Sequence, residues 1–498
     1  MSLGANKQAL MGASGAAGGA GGGFYTHQIA NSIRMPATSS TASSNSKLKR
    51  TVGTPDSNVH FTLNFWIKRS AIGGNNPVGG VRPLVFFTPI SGTSGSVLME
   101  FKFSSPTSGG AAGDSLMIVN TSSNAIVLST DNVYRDTSAW YNIHIQADAD
   151  NGTNSEKLKI FVNGTETNYN TDNRGSFTSF PGIAAGRWTI GDYYDGSYPI
   201  QSYFAQFCYI DGTTYAASDF GETKNGVWIP KDPSGLTFGS EGYYLDFAAS
   251  GDLGNDVSGN NNDWELENVS PHDQMLDSPT FGSSNGGNFA TWNFLSRTNP
   301  ALSYGASTFS EGNLAFAGAT GGTASTGSTF SMQSGKWYTE VMQSGTPAGG
   351  WPAVGVIYTD KMGTAQGTSN IQPQNGFTAF IAMTNGDLYK FDASSGASYG
   401  SAFGNGDICN IAVDIDAGKI WWGKNGTYFA SGNPVTGANP GDTFTAGTVL
   451  SLWVAGYNGS GTSILNAGQD GTFAGAKTAQ GNSDDTGYGN FYYAPPTG

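Results

Sequence analysis

The chain has 498 residues, of which 73 are Gly and only 12% are charged, whereas about 25% are charged in an average soluble domain. This composition argues against a mostly helical protein, because helices favour Ala, Leu, Glu, Lys and Arg. Hydrophobic residues still make up 38% and aromatic residues 12%, which excludes disorder for most of the length. The net charge of −14 argues against nucleic-acid binding, and no apolar run approaches the ~18 residues of a membrane-spanning helix, so neither nucleic acid nor membrane insertion is expected.

Residues 1–50 differ from the rest of the chain and are predicted to form a basic arm. They are rich in Gly, Ala and Ser, and their five charged residues are all basic: Lys7, Arg34, Lys47, Lys49 and Arg50. A segment of this composition buries too little apolar surface to fold alone, so we expect it to order against a partner. The predicted anchors of the arm are Phe24, Tyr25, Ile29 and Arg34. The first residues lack the apolar stretch of a signal peptide, so conventional secretion is not expected.

Residues 51–270 show the period-two alternation of β-strands, in which every second side chain lines one face of a sheet. The first such face consists of Phe61, Leu63, Phe65 and Ile67. Similar faces follow at 97–103, 141–147 and 158–162. Asn163-Gly164 then predicts a type I′ hairpin, because both residues tolerate positive φ. We predict an antiparallel sandwich over 51–270 and a Pro-containing linker over 271–290.

Residues 291–498 repeat this pattern and are predicted to form a second sandwich. Apolar strands recur there with turn residues about every 8–12 positions, which is the spacing of a sandwich. Residues 142–150 resemble residues 410–417, and each segment is followed by a strand and an Asn-Gly pair, Asn163-Gly164 and Asn425-Gly426. The two halves are therefore interpreted as two domains of one sandwich type.

Three pairs of acidic residues could supply the two carboxylates that a glycoside hydrolase needs about 5–9.5 Å apart: Asp148/Asp150, Asp414/Asp416 and Glu265/Glu267. None continues as the three-acid pattern of laminarinase-type sandwiches. The first two pairs run directly into turns, where Asp is common. We therefore interpret the acids as strand ends and predict no enzymatic activity.

The four His and two Cys residues lack the spacing of a catalytic or zinc site. His144 alternates with Ile143 and Ile145 and is expected at the surface. Cys208 and Cys409 each lie in an apolar strand, so both are expected to be buried free thiols rather than partners in a disulfide.

A calcium candidate lies at the end of the first sandwich. Oxygen-bearing side chains alternate there, with a carboxylate at the twelfth position, as in a calcium-binding loop: Asp256, Ser258, Asn260, Asn262 and Glu267. The match is incomplete, because Asn261 replaces the Gly of the sharp turn and Asp263 stands at the usual apolar position. An Asn-rich turn is the simpler interpretation, and no other metal or cofactor is predicted.

Aromatic residues in predicted loops are the candidates for ligand binding: Tyr193, Tyr194, Tyr198, Trp351 and Tyr457. Aromatic rings beside Asn and Asp suit glycans, because a ring packs on the apolar face of a sugar while amides and carboxylates bind its hydroxyls. The alternative is that these rings cap the sandwich ends or contact a neighbouring subunit, since aromatic residues are also common at interfaces.

Parts of the chain resemble known families. FTLNFWIKRS, KLKIFVNGTE and DVSGNNNDW resemble the concanavalin-like (LamG) domain of virion proteins from marine tailed bacteriophages. GKWYTEV and GDICNIAVDIDAGKIWWGKNGTYF resemble a SPRY domain, which is also a concanavalin-like sandwich. GANKQALMGA and GGFYTHQIANSIRM resemble the start of the same phage proteins. The resemblance implies an all-β fold of two concanavalin-like antiparallel β-sandwiches of jelly-roll type, preceded by an extended N-terminal arm.

The resemblance further implies a non-enzymatic structural protein on the virion surface, at the tail or the capsid exterior. Its arm would bind other virion proteins, and the chain would form a homo-oligomer, with a trimer favoured. The leading hypothesis is a tail fibre or tail appendage that contacts host-surface glycans. A capsid or tail decoration protein without a receptor role is one alternative. A glycan-degrading depolymerase or a free lectin would be alternatives of another class.

Overall fold

The computed structural model consists of two all-β units, Met1–Asn288 and Phe289–Gly498, which are called unit 1 and unit 2. The structure describes residues 24–36, 45–72, 82–89, 99–103, 113–120, 125–179, 186–192, 200–282, 287–297, 307–318, 323–347, 352–363, 376–391, 393, 395–457 and 461–497. Within these residues the predicted all-β fold is confirmed, and every strand pair is antiparallel.

Unit 1 is built from short strands. In the described residues they are β1 (Ser32–Met35), β2 (Lys47–Thr51), β3 (His60–Arg69), β4 (Arg82–Pro89), β5 (Met99–Phe103), β6 (Ser115–Asn120), β7 (Ala125–Val133), β8 (Trp140–Asp148), β9 (Leu158–Val162), β10 (Thr165–Glu166), β11 (Tyr169–Asp172), β12 (Gly186–Ile190), β13 (Ser202–Asp211), β14 (Gly221–Lys224), β15 (Val227–Pro230), β16 (Tyr243–Leu245), β17 (Glu265–Glu267) and β18 (Gln274–Met275). The helical elements are an α-helix at Ala217–Phe220 and 3-10 turns at Asn154–Glu156, Arg174–Ser176 and Pro271–Asp273. No helix in the described part of the chain is long and apolar enough to cross a membrane.

The strands of unit 1 form two large sheets and a hairpin. Over the described residues, one sheet has the order β10-β9-β8-β3-β13-β1-β18, with β16 also paired to β13. The other has the order β11-β7-β6-β5-β4-β12-β2-β17, and β14 pairs with β15 alone. β3 is therefore a central strand of the first sheet, hydrogen-bonded to β8 on one side and to β13 on the other.

The inner faces of the two sheets form one hydrophobic core. The side chains predicted to line the inner face of β3 are fully buried: Phe61, Leu63, Phe65 and Ile67. Across the core, the ring centroids of Phe61 and Phe101 are 6.2 Å apart, and those of Trp188 and Tyr209 are 4.6 Å apart. Burying each such side chain contributes roughly 1.5–3 kcal/mol, so this face stabilises the sandwich.

A β-bulge in β13 brings two aromatic side chains that are three positions apart, Phe204 and Phe207, into this core. The register between β3 and β13 shifts between Ala205 and Cys208, where Gln206 has a φ of 45°. Strict alternation would put Phe204 and Phe207 on opposite faces of the sheet, and the extra residue brings them to the same face. Their ring centroids are 5.7 Å apart and both side chains are fully buried.

Unit 2 contains a second pair of antiparallel sheets. Its described strands are β19 (Thr308–Ser310), β20 (Ala315–Ala317), β21 (Thr323–Met332), β22 (Lys336–Ser344), β23 (Ala353–Tyr358), β24 (Thr378–Ala382), β25 (Asp387–Tyr389), β26 (Ala397–Ser398), β27 (Ile408–Asp414), β28 (Lys419–Lys424), β29 (Thr427–Tyr428), β30 (Asp442–Thr443), β31 (Leu450–Tyr457) and β32 (Thr462–Asn466). Short 3-10 turns lie at Phe294–Ser296, Glu311–Asn313, Thr359–Lys361 and Phe429–Ser431. The sheet orders are β19-β20-β32-β22-β27-β28-β29, with β30 beside β28, and β21-β31-β23-β24-β25-β26, counted over the described residues.

Both Asn-Gly pairs form the hairpin turns that the sequence predicts. Asn163 and Gly164 have φ values of 49° and 74° between β9 and β10, and Asn425 and Gly426 have φ values of 52° and 81° between β28 and β29. Two consecutive positive φ angles define a type I′ turn, which matches the right-handed twist of the flanking strands. The turn prediction is confirmed in both units.

The sheets of unit 1 begin before residue 50, where the predicted arm ends. β1 pairs with β13 and β18, and β2 pairs with β12 and β17. The predicted linker at 271–290 also contributes a strand, β18, and the boundary between the units follows Asn288. The predicted end of the arm is therefore wrong, because Ile33 and Met35 belong to the hydrophobic core and their local composition does not reveal it.

A buried ion pair fixes β1 to the end of unit 1. The Nη2 and Nε atoms of Arg34 lie 3.0 and 3.3 Å from Oδ1 of Asp273, and the two side chains are 0% and 2% exposed. The other carboxylate oxygen of Asp273 accepts the backbone N–H of Ser270 at 2.9 Å. A buried charge of this kind is tolerated only with its partner, so Arg34 and Asp273 depend on each other.

We predict that Arg34→Ala lowers the free energy of unfolding of unit 1 by about 3–5 kcal/mol, because it leaves the Asp273 carboxylate buried without its counter-charge. Chemical denaturation followed by hydrogen exchange in β1 and β18 measures the effect. Lys159→Ala is the control within unit 1: Lys159 pairs with Glu156, whose side chain is 47% exposed, and an ion pair at such a surface site contributes roughly 0–1 kcal/mol. Equal effects of the two substitutions would contradict the prediction.

Candidate functional site

The aromatic residues predicted to bind glycans lie mostly outside the described residues: Tyr193, Tyr194, Tyr198 and Trp351. Tyr457 ends β31, where its backbone pairs with that of Thr323, and its side chain is also outside the described part. The assignment of these five residues to glycan binding therefore stays a prediction.

The residues predicted to anchor the arm contact unit 1 itself. The Phe24 carbonyl accepts a hydrogen bond from Nζ of Lys224 at 2.7 Å, and the rings of Phe24 and Tyr25 meet edge to face with centroids 5.0 Å apart. Ile29 is 4% exposed, and its backbone N–H donates to Oγ1 of Thr280 at 2.9 Å. With Arg34 in its buried ion pair, Phe24, Ile29 and Arg34 each contact unit 1, and the ring of Tyr25 packs on that of Phe24.

The residues of the calcium candidate fasten a turn. The Asp256 carboxylate accepts the backbone N–H groups of Ser258 and Asn262, each at 2.9 Å. Asn260 and Asn262 donate their side-chain N–H groups to the Gly242 carbonyl at 2.9 and 2.8 Å. The carboxylate and amide groups thus satisfy the backbone of the turn and of the segment beside it.

Glu267, the carboxylate at the twelfth position of the calcium candidate, has other partners. It lies on β17 and forms ion pairs with Lys47 at 2.9 Å and Lys49 at 3.0 Å, both on β2. Asp256 and Glu267 therefore contact separate groups in the structure.

His144 is fully buried, although its alternation with inward-facing neighbours predicts a surface residue. Its Nε2 lies 3.2 Å from the Tyr215 carbonyl, and the centroids of Phe220 and Phe161 lie 5.4 and 5.5 Å from its ring. The prediction is wrong because alternation identifies the face of the strand but not the segment that covers it. Residues 213–231 supply that cover, including the short helix and the β14–β15 hairpin.

His144 belongs to a group of polar side chains on the outer face of β3 and β8, called the covered polar layer: Asn64, Asn142, His144 and Gln146. Nδ2 of Asn142 donates to Oδ1 of Asn64 at 3.2 Å, and Nε1 of Trp228, on the β14–β15 hairpin, donates to Oδ1 of Asn142 at 3.1 Å. Nε2 of Gln146 donates to the Tyr215 carbonyl at 2.7 Å. The layer binds the covering segment through hydrogen bonds, as buried polar groups require.

The His60 cluster consists of His60, Asp148 and Asp150. Nε2 of His60 lies 3.1 Å from Oδ1 of Asp148 and 2.9 Å from Oδ1 of Asp150, and the three side chains are 35%, 29% and 60% exposed. His60 begins β3 and is directly opposite Asp148, the last residue of β8. In the described part of the chain, this group brings three metal-ligating side chains together, with all ligand atoms within 4.8 Å of one another.

The sequence presents Asp148 and Asp150 as a carboxylate pair, but it gives no sign that His60 lies beside them. The missing information was the pairing of β3 with β8, since the residues facing each other across that pair are 88 positions apart. The acids of the other two pairs, Glu265/Glu267 and Asp414/Asp416, contact lysine side chains and backbone N–H groups, respectively. Asp414 and Asp416 accept the N–H groups of Ala417 and Gly335, at 2.8 and 3.0 Å, in the turns expected for them.

Unit 2 contains a buried carboxylate that no motif in the sequence marks. Glu340, on β22, has no exposed surface. Oε1 accepts from the Tyr338 hydroxyl at 2.9 Å and the Tyr493 N–H at 2.7 Å, while Oε2 accepts from the Tyr492 N–H at 2.9 Å and Nδ2 of Asn466 at 3.0 Å. Burial raises the pKa of Glu340, although these donors oppose the shift. The carboxylate thereby fastens the C-terminal segment to β22.

Comparisons with known proteins find partial likeness to solved structures. No protein-family model and no curated protein sequence matches the chain. The SPRY domain of human HERC1 is 16% identical with a TM-score of 0.24, and the match covers 30% of this chain and 86% of that one. A SAP-like pentraxin from Limulus polyphemus is 14% identical with a TM-score of 0.28, covering 38% and 80%. A Bacteroides ovatus protein described as carbohydrate-binding is 16% identical with a TM-score of 0.33, covering 49% and 60%. Identities and TM-scores this low carry no argument about function.

We predict that His144 makes unit 1 less stable in acid. Burial lowers the pKa of His144 to about 3, against the opposing hydrogen bond to the Tyr215 carbonyl, whereas an unfolded imidazole has a pKa of about 6.5. As the pH falls below about 6.5, the unfolded chain binds a proton that the folded chain does not, so the free energy of unfolding falls by up to about 1.4 kcal/mol per pH unit. Hydrogen exchange of β3 and β8 in urea, between about pH 5 and 6.5, measures this slope.

His144→Gln should reduce that slope, because it removes the proton-binding group while keeping a polar side chain in the layer. His272→Gln is the matched control, since His272 is only partly buried on a 3-10 turn. A slope that His144→Gln leaves unchanged would rule out His144 as its source.

We predict that Glu340→Ala releases the C-terminal segment of unit 2. The substitution leaves the backbone N–H groups of Tyr492 and Tyr493 without their acceptor, and each unsatisfied buried donor costs about 1–3 kcal/mol. Hydrogen exchange of a peptide covering 482–493 should accelerate, with little change in the core strand β24. Asp416→Ala, in an exposed turn, is the control, and unchanged exchange in Glu340→Ala would contradict the assigned role.

Proposed function

We propose that the protein is a non-enzymatic structural protein of a tailed-phage particle, displayed on the virion surface as a tail fibre or tail appendage. One observation carries the proposal: residues 24–35 are fastened into unit 1, so the chain enters the sandwich at a fixed place. The Gly- and Ala-rich residues 1–23 precede that place and serve as the attachment to other virion proteins. The resemblance of the N-terminal strings to phage virion proteins supports the same role.

The described acidic pairs support a role without catalysis. A glycoside hydrolase needs two carboxylates that are free to act as acid and as nucleophile or base on a bound sugar. Each of the pairs considered from the sequence is engaged by a histidine, lysines or backbone N–H groups: Asp148/Asp150, Glu265/Glu267 and Asp414/Asp416. The binding role proposed here requires no cofactor.

Host-surface glycans are the proposed external ligand, and the proposed contacts are Tyr193, Tyr194, Tyr198, Trp351 and Tyr457. Their rings would pack on apolar sugar faces beside Asn and Asp residues that are close in the sequence. We propose that the chain forms a homo-oligomer, with a trimer favoured, because presenting several weak sites together raises the overall affinity by about 10²–10⁴.

Gold labelling of purified phage particles with an antibody against unit 2, viewed by electron microscopy, tests the proposal. We expect label at the tail, where host adsorption takes place. Label over the head would identify a decoration protein without a receptor role. Absence of label from particles would overturn the virion role and leave a free lectin or a depolymerase.

A variant lacking residues 1–23 is the matched control for the labelling. It retains every described residue of unit 1, so it should fold and still bind the antibody in solution. We expect it to be absent from particles, because the proposed attachment segment has been removed. Normal incorporation of this variant would contradict the attachment role of residues 1–23.

A further inference from the structure

We propose that the His60 cluster is a binding site for a divalent transition-metal cation, with Zn²⁺ as the best match. The site goes beyond the proposed function and does not depend on it. Its ligands would be Nε2 of His60 and one carboxylate oxygen from each of Asp148 and Asp150. These three atoms lie within 4.8 Å of one another, and the two nitrogen–oxygen distances are 3.1 and 2.9 Å.

The spacing of the ligand atoms fits a small cation. Zn²⁺ binds imidazole nitrogen and carboxylate oxygen at about 2.0–2.2 Å in tetrahedral geometry, which places ligand atoms about 3.3–3.5 Å apart. The His60 nitrogen is 0.2–0.6 Å closer than this to the two oxygens, taking about 3.3–3.5 Å as the target. Small rotations of the His60 and Asp150 side chains, which are 35% and 60% exposed, would open the cluster.

The chemistry of the donors selects the class of cation. Two carboxylates supply negative charge to a divalent ion, and the imidazole nitrogen favours Zn²⁺ and its first-row neighbours. Ca²⁺ instead takes six to eight oxygen ligands, and a histidine nitrogen is not among those it prefers. Three protein ligands leave a fourth tetrahedral position, which the exposure of Asp150 directs to solvent.

Two of the three ligands are held in place before any cation binds. His60 and Asp148 face each other in the continuous β3–β8 ladder, so their Cα atoms are fixed by the sheet. Oδ2 of Asp148 accepts a hydrogen bond from Nδ2 of Asn151 at 2.8 Å, which leaves Oδ1 toward His60. Asp150 follows in the turn two residues later and closes the cluster.

Ser57 is placed as an outer partner of the histidine. Its Oγ lies 3.4 Å from Nδ1 of His60 and accepts the backbone N–H of His60 at 3.0 Å. A histidine that binds a metal through one nitrogen usually donates the N–H of the other to such a partner, which fixes the ring and its tautomer. Ser57 Oγ is the atom beside Nδ1, so Nε2 is the ring nitrogen that faces the two carboxylates.

Isothermal titration of the full-length protein with ZnCl₂, after removal of metal by a chelator, tests the site. We expect saturable binding of one ion per chain by wild type, and no comparable binding of CaCl₂. His60→Ala and Asp150→Asn should each weaken Zn²⁺ binding at least about tenfold, since losing even an outer partner costs about 10–100-fold. His272→Ala and Asp416→Asn are matched controls elsewhere in the chain and should bind as wild type does.

Thermal unfolding in chelator and in Zn²⁺ shows whether a variant that fails to bind Zn²⁺ is still folded. The variants should unfold at the wild-type temperature in chelator, because these side chains lie at a partly exposed sheet end, and Zn²⁺ should raise the unfolding temperature of wild type alone. Co²⁺ substitution should give a visible absorption band that His60→Ala removes. Absence of saturable Zn²⁺ binding, or binding that His60→Ala leaves unchanged, would overturn the proposal and leave His60 as a hydrogen-bonded bridge between two carboxylates.

Discussion

The organisation of unit 1 depends on one constraint: the polar side chains on the outer face of β3 are buried and must be hydrogen-bonded. A buried polar group without a partner costs about 1–3 kcal/mol, and an unpaired charge costs more. Oγ1 of Thr62 donates to the Thr213 carbonyl at 3.0 Å, Asn64 joins the covered polar layer, and Nζ of Lys68 lies 2.7 Å from Oδ2 of Asp277. Thr62 and Lys68 thus each bind a different distant segment, and Asn64 bonds to Asn142 of the neighbouring strand β8, which accepts a hydrogen bond from Trp228 of the covering hairpin.

Patterns confined to a few consecutive residues predicted the local parts of this fold. The alternation from Phe61 to Ile67 identified the inner face of β3, because apolar burial depends on which side of the strand a residue occupies. Asn163-Gly164 and Asn425-Gly426 identified two turns, because few residues other than Asn and Gly tolerate positive φ. Neither inference needed knowledge of what lies elsewhere in the chain.

The candidate sites and the covered faces could not be predicted in this way, because their partners are far apart in sequence. The carbonyl that meets His144 is 71 positions away, and the carboxylate that pairs with Arg34 is 239 positions away. Glu340 is likewise surrounded by the backbone of residues more than 150 positions later. An acid or a histidine within a strand indicates a polar outer face. Only the strand order reveals which segment supplies the hydrogen-bond partner of that side chain.

The pairing of β1 also bears on how unit 1 folds during its synthesis. β1 is synthesised near the start of unit 1. Asp273, which pairs with Arg34, and β18, which pairs with β1, are synthesised near its end. Until then Arg34 lacks its counter-charge and one edge of β1 has no neighbour, and contacts of such long sequence separation form late in folding. A nascent chain that stops short of β18 therefore exposes an unpaired strand edge of the kind that promotes aggregation. Completion of unit 1 is thus tied to synthesis of its last strand.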